Sequence, residues 1–550
     1  MNPYLLFLCT IFLLISCGKD RYSSHNQNVF NMNLPTGLSS LDPAYARDQA
    51  NAWMTEQLFE GLVQLDEDLK IIPSIAHSWQ IQDSGMVYIF NLRTDVLFHH
   101  NSIFGNDSTR YVTAQDFVFS FNRICDAGTG SSGQWIFNGK VEGTDSPEGV
   151  KGFRAINDST LEIRLIRPFP PFLTLLTMPY AFVVPREAIE KYGKHFRSNP
   201  VGTGPFQFKS WKEGQSLILL KNKKYHEFEN GERLPFLDAV RVTFTAGALI
   251  SFHQFLRGDL DFINRPDLSL KDEIMDSDGQ LKMQWRSKFR IESMPQLNTE
   301  YLGILLMRGE GSVSVLKDKR IRQAINLAID RDQLVRYVLN GMGYPAHGGM
   351  VPPGMPGFDS TVLKGYRYEP DKAKLLLRAA GYPDGKGLPE ITLYTNPSYQ
   401  PVMEFIQYQL GQVGIRIQLD PSDGASMREM IYQGRIPFWR ASWIADYPDP
   451  ENYMSLFYSE NAAPDGPNTT RFSHAEFDRL YTASAQENNT AKRVGMFLEM
   501  QQILLDEAPV VLLYYDKIIR LVRNGTHGLE TNAMNSLKLK RVRKNAVPAT

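Results

Sequence analysis

Hydrophobic positions recur with two different periods along this chain, and the change of period divides it. In the N-terminal part the spacing is that of strands. Val29 to Asn33 is the first strand-like run, and Met86 to Arg93 (MVYIFNLR) follows the turn Asp83-Ser84-Gly85. Leu161, Ile163 and Leu165 alternate with charged residues after a turn at Asp158-Ser159, which predicts a half-exposed strand. Pro168, Pro170 and Pro171 then interrupt, with a helix or loop over Phe172 to Thr177. From about Arg320 onward helical spacing appears. Ile321, Ala324, Ile325 and Ala328 share one helical face, and Asp330 with Gln333 forms a capping box for a second helix closed by Gly341. Pro370 opens a further helix that Gly381 ends. Ile391–Tyr394 then reads as strand, Val402–Leu410 as helix, and Ile415, Ile417 and Leu419 as an alternating strand. Met427–Gln433 is a helix stopped by Gly434, and Ile436–Trp443 is the next strand. This β-α-β-α-β order predicts parallel strands covered by helices, with ligands beyond the carboxyl ends of the strands. Asp446 stands just past such an end.

The first residues follow another pattern. Tyr4 to Ser16 (YLLFLCTIFLLIS) is almost wholly apolar, too short for a membrane span of about 20 residues but suited to the apolar core of a secretion signal. Leu14-Ile15-Ser16-Cys17, followed by Gly18, resembles a bacterial lipobox, although no Lys or Arg precedes the apolar run. That resemblance implies a lipoprotein signal over 1–17, lipidation of Cys17 and a polar tether over 18–28. A plain signal peptide or a buried N-terminal helix are the alternatives. With Cys9 removed and Cys17 lipidated, Cys125 is left alone and no intramolecular disulfide can form.

Composition narrows the function. A chain of 550 residues exceeds a single hydrophobic core and predicts two to four lobes. At 43% hydrophobic and 22% charged it is globular. A formal net charge of -1 argues against nucleic acid, which needs a basic face to replace counterions. The basic run Lys538, Lys540, Arg541, Arg543, Lys544 reads as a solvated tail. No HExxH, GxSxG, GxxxxGK[ST] or CxxC occurs, and Gly202-Thr203-Gly204 followed by Pro205 reads as a tight turn, not a phosphate loop. His99-His100 reads as a surface pair, because adjacent strand residues point to opposite faces and make a poor metal site. Neither a metal nor a cofactor is predicted.

The stretch WRASWIADYPDP, Trp439 to Pro450, sets a cation, Arg440, and an anion, Asp446, on either side of a strand-like run. Free backbone groups between opposite charges match an extended zwitterion such as a short peptide. An ordinary strand end with two surface charges fits the same letters.

Several segments together resemble the solute-binding proteins of peptide and nickel ABC transporters, family 5. They are Leu41-Asp42-Pro43; Leu58-Phe59-Glu60-Gly61-Leu62; Pro73 to Trp79; Thr113 to Ser120; Pro200-Val201-Gly202-Thr203-Gly204-Pro205-Phe206; Arg320 to Arg331; and Asp446-Tyr447-Pro448-Asp449-Pro450. The resemblance implies a periplasmic-binding-protein-like α/β fold (type II, cluster C), two lobes with a hinge plus an extra inserted domain. It places domain I at 29–72, 199–290 and 516–550, the inserted domain II at 73–198 and domain III at 291–515. It implies no catalysis and a monomeric, lipid-anchored binder in the cell envelope that captures short peptides and passes them to an ABC permease and ATPase complex. Asp446 would hold the peptide ammonium. Ser442, Trp443 and Ile444 would pair with its backbone, and Arg440 would take a carboxylate or form a structural ion pair. Arg47, Asp48 and Gln49 would form the opposite cleft edge, with Tyr514 and Tyr515 in the pocket or the core. Ile431 stands where some members carry a second Arg, with Arg435 nearby, so the site of a carboxylate anchor is open. Another solute (a nickel chelate, glycan or signalling peptide) and an envelope hydrolase are the alternative functions.

Overall fold

Two long antiparallel strands, Phe289–Ile304 and Val510–Arg523, run through the middle of an 11-stranded sheet and belong to both of its halves. The computed structural model describes residues 28–144, 146, 150–276, 279–306, 312–422 and 424–545. Cys17 and residues 18–27 of the expected tether lie outside the described residues.

In one half, Phe289–Pro295 pairs with Lys517–Arg523. Phe262–Asn264 lies against the other side of Val510–Arg523, followed by Val29–Asn33, Ala239–Thr243, Ser216–Lys221 and Phe206–Lys212. Val29–Asn33 pairs in parallel with Ala239–Thr243, and Val29, Phe30, Asn31 and Met32 are all buried, as expected of a strand covered on both faces. In the other half, Asn298–Ile304 pairs with Phe438–Ile444, and Ile391–Thr395 and Ile417–Pro421 complete the sheet. Ile391–Thr395 is parallel to both Ile417–Pro421 and Phe438–Ile444, the arrangement the alternating pattern implied. Ile321, Ala324, Ile325 and Ala328 pack on this half with Val402, Ile406 and Leu410. Pairing of the two long strands shifts register between Pro295 and Thr299 and again between Glu300 and Tyr301. Such irregularities bend and twist a ladder, so the halves become two lobes sharing one bent sheet.

A separate four-stranded antiparallel sheet, ordered Ala76–Gln82, Val87–Leu92, Thr160–Arg164, Phe153–Asn157, forms the inserted unit. Leu161, Ile163 and Leu165 face its core as their alternation predicted. Asp42 ties the first segment to this unit. It caps the turn at Ala44 (3.0 Å) and accepts from both terminal nitrogens of Arg123 at 2.9 and 2.5 Å, with the pair largely buried.

Four expectations change. The capping box at Asp330 is half-formed: its side chain accepts from Gln333 N–H at 2.9 Å, but its own N–H donates to Gln409 Oε1 at 2.7 Å on another helix. The helix that follows is one α turn, Arg331–Gln333, continued as π-helix through Leu334–Val338. His99 is not a surface residue. It is 4% exposed, donates from Nε2 to Gly204 O at 2.9 Å and accepts from Gly202 N–H at Nδ1, which defines a neutral ring, and burial pushes its pKa down to about 4. The basic run is not a solvated tail either. Lys540 pairs with Glu227 at 2.6 Å, Arg541 with Glu229 and Glu530, Arg543 with Glu232, and Lys544 with Asp261. These pairs fasten the C-terminal segment to the first lobe.

Candidate functional site

The strand Phe438–Ile444 delivers Asp446 to the gap between the lobes. Ala445 N–H donates to Leu297 O at 2.8 Å, keeping the chain on the sheet one residue past the strand. The short helix Glu451–Met454 then turns back. Its Asn452, 4% exposed, organises the corner: Oδ1 accepts from Trp443 Nε1 at 2.9 Å and from Asp446 N–H at 3.1 Å, while Nδ2 donates to Asp446 Oδ2 at 3.2 Å. The two aspartates of the DYPDP motif therefore separate in role. Asp449 is bound at both oxygens by Arg493, at 2.6 and 2.8 Å, and is structural. Asp446 has no cationic partner among the described residues, and its side chain is open to solvent within the cleft. Protein on both sides of the cleft raises its carboxyl above the usual aspartate range, against the opposing pull of the Asn452 hydrogen bond.

A cavity of about 500 Å³ opens beside Asp446, within the range of ligand pockets. Arg47, Asp48 and Gln49 line the opposite edge. All three are exposed, and Asp48 also caps the helix Gln49–Leu58 by accepting from Asn51 N–H at 2.9 Å. Trp135, Met178 and Tyr180 reach in from the inserted unit, and Tyr447 packs into that unit's core. The sequence reading missed Trp135, Tyr180, Arg265 and Gln296, which line the cavity, and Asn452, which holds Asp446. Asn452 had a local signal, six residues beyond the aspartate it orients; the others come from distant segments and had none.

Not every expected residue reaches the cavity. Arg440 donates to Glu300 from Nε at 3.0 Å and Nη2 at 2.5 Å, and its guanidinium lies 3.4 Å from the Tyr399 ring centroid. It forms the structural ion pair that the sequence reading held as the alternative, and it does not line the cavity. Tyr514 and Tyr515 are 4% and 1% exposed and belong to the core, where the Tyr515 hydroxyl donates to Gly349 O at 2.7 Å. Ile431 packs against Trp439 and Ile436, and Arg435 is exposed.

Ser442 and Ile444 present backbone groups at an open edge. Ala445 bonds to Leu297 and Pro437 to Leu305, so by the alternation of an antiparallel ladder the odd-numbered residues bond toward Phe289–Ile304. The even-numbered ones face the other way, where Ile391–Thr395 pairs only through Tyr394 and Trp439 among the described residues. Trp443 points to the opposite face, toward Asn452.

Two lobes on a shared, bent sheet, with a ligand-sized cleft between them, define a hinged solute-binding protein. Residues 70–465 match the bacterial extracellular solute-binding proteins, family 5 (middle region), and the chain belongs to this family of binding proteins, not enzymes. It is 26% identical over 530 residues to the dipeptide-binding protein of Escherichia coli (strain K12), covering 94% of this chain and 91% of that one. It is 28% identical over 501 residues to the periplasmic oligopeptide-binding protein OppA of the same organism, covering 88% and 87%. A solved periplasmic oligopeptide-binding protein of Borrelia burgdorferi is 26% identical with a TM-score of 0.72, covering 94% of this chain and 100% of that one.

Proposed function

We propose that the protein captures short peptides between its lobes as the substrate-binding component of an ABC importer, anchored in the cell envelope by lipid on Cys17. The observation that carries this reading is Asp446: an anion without a cationic partner among the described residues, held by Asn452 and facing a cavity. A peptide ammonium entering a cleft must exchange water for a fixed anion, because leaving a charge unpaired there is costly. The open edge at Ser442 and Ile444 offers strand addition, which reads a peptide main chain without regard to its sequence. Arg47, Asp48 and Gln49 close the site from the other lobe. The names of the Escherichia coli relatives support peptide as the ligand class.

Isothermal titration with mixed di- to pentapeptides tests the reading. Peptides bind, and Asp446→Asn weakens them tenfold or more, about 1.4 kcal/mol. N-acetylated peptides show the same loss against the wild type. Equal affinity of the Asn variant, or indifference to N-acetylation, removes Asp446 from the ammonium role. Native mass spectrometry that recovers a non-peptide solute favours the other ligand class. For the anchor, Cys17→Ala shifts the protein from the membrane fraction to the soluble one; an unchanged distribution rejects lipidation.

A further inference from the structure

We infer that Arg265, and not Arg440, receives the carboxylate of the ligand, so that with Asp446 it makes the cleft a two-ended receptor for a short zwitterion. This rests on the peptide reading above and specifies its second end.

Arg265 follows the strand Phe262–Asn264 and is held at its end by its own N–H, which donates to Ile519 O at 2.8 Å. Its φ of 51° is in the left-handed region, which costs a non-glycine residue energy and persists where the surroundings impose it. The side chain lines the same cavity as Asp446 and is 41% exposed. Its Nη2 donates to Asp516 Oδ2 at 2.8 Å, the one hydrogen bond of this side chain among the described residues. Nε and Nη1 are therefore available to a carboxylate, which the planar fork of Arg can bind through two nitrogens. Asp516 is itself buried and also accepts from Asn298 Nδ2 at 2.7 Å, so it orients Arg265 from behind. Arg440 is placed differently. Its Nε and Nη2 are taken by Glu300, Tyr399 covers its face, and it stands outside the cavity wall.

Gln296 adds an independent sign of a ligand between the two charges. It is 2% exposed and lines the cavity, and its Oε1 has no hydrogen-bond partner among the described residues. Buried polar atoms without a partner are uncommon, and here a ligand N–H would supply the partner. Leu297 accepts from Ala445, which sets Gln296 beside Asp446.

The test is a two-by-two titration calorimetry experiment: a tripeptide and its C-terminal amide against the wild type and Arg265→Gln. Amidation weakens wild-type binding roughly tenfold or more and has no further effect on the Gln variant, with Arg265→Lys between them. A wild type indifferent to amidation overturns the assignment without any variant. An amide penalty that persists in Arg265→Gln and vanishes in Arg440→Gln transfers the role to Arg440. A wild type that binds no peptide at all, free acid or amide, sinks the underlying peptide reading as well, which distinguishes the two failures.

Discussion

Glu300 and Arg440 form an ion pair across the sheet, on adjacent strands and 140 residues apart in the chain, with side-chain exposures of 2% and 12%. Glu300 also accepts from Asn298 Nδ2 at 3.2 Å, and Asn298 donates to Asp516, which holds Arg265. A continuous polar chain thus crosses the bend where the two long strands change register, linking a residue of each lobe.

Breaking this pair from one side is expected to be costly. Arg440→Met leaves a carboxylate buried without its cation and destabilises the fold by about 3–5 kcal/mol in urea unfolding. Replacing both partners, Glu300→Leu with Arg440→Met, costs clearly less than the single change. A single variant as stable as the wild type would show that the pair is not holding the bend.

Ligand binding is expected to depend on pH through Asp446. Its carboxyl titrates above the ordinary aspartate value of 3.8 because of its surroundings. Protonation removes the anion that an ammonium needs, so affinity falls as pH drops through that raised pKa, and it is fully developed above it. The loss begins at a higher pH than for an unperturbed aspartate. Titration of one peptide from pH 7 downward with the wild type and Asp446→Asn checks this; the variant's affinity is weaker and flat over the same window.

Stability is expected to depend on pH through His99. Its folded pKa of about 4 lies below the ordinary 6.5, so between those values the unfolded chain binds the proton and the folded protein does not. The stabilisation is complete above pH 6.5 and is lost as pH falls toward 4, with a ceiling of about 3 kcal/mol. Urea unfolding at several pH values gives a slope in that window that His99→Gln reduces.

Gly202→Ala is expected to disrupt the same joint. A Cβ at Gly202 would sit 2.0 Å from Leu58 O and 2.7 Å from the Phe59 ring, both in tightly packed surroundings. The backbone must move, and the cost is about 3 kcal/mol or more. Thermal unfolding measures it, and a midpoint within a degree or two of the wild type would mean that the segment yields more easily than its packing indicates.

The local structure of the chain was legible where local chemistry decides it. The strands at Val29–Asn33 and Val87–Leu92, the helix opened by Pro370 and the parallel order of Ile391–Thr395 and Ile417–Pro421 follow from periodicity, caps and turns, which act over a few residues. So does the position of Asp446 just beyond a strand. What needed the tertiary structure were pairings between segments far apart in the chain. Glu300 occupies Arg440, Arg493 occupies Asp449 and leaves Asp446 open, and the acids at Glu227, Glu229 and Glu232 bind a basic run that composition alone makes a tail. A side chain's charge is written in the sequence, but its availability depends on which partner the fold brings within about 3 Å, and that is set by the packing of whole lobes.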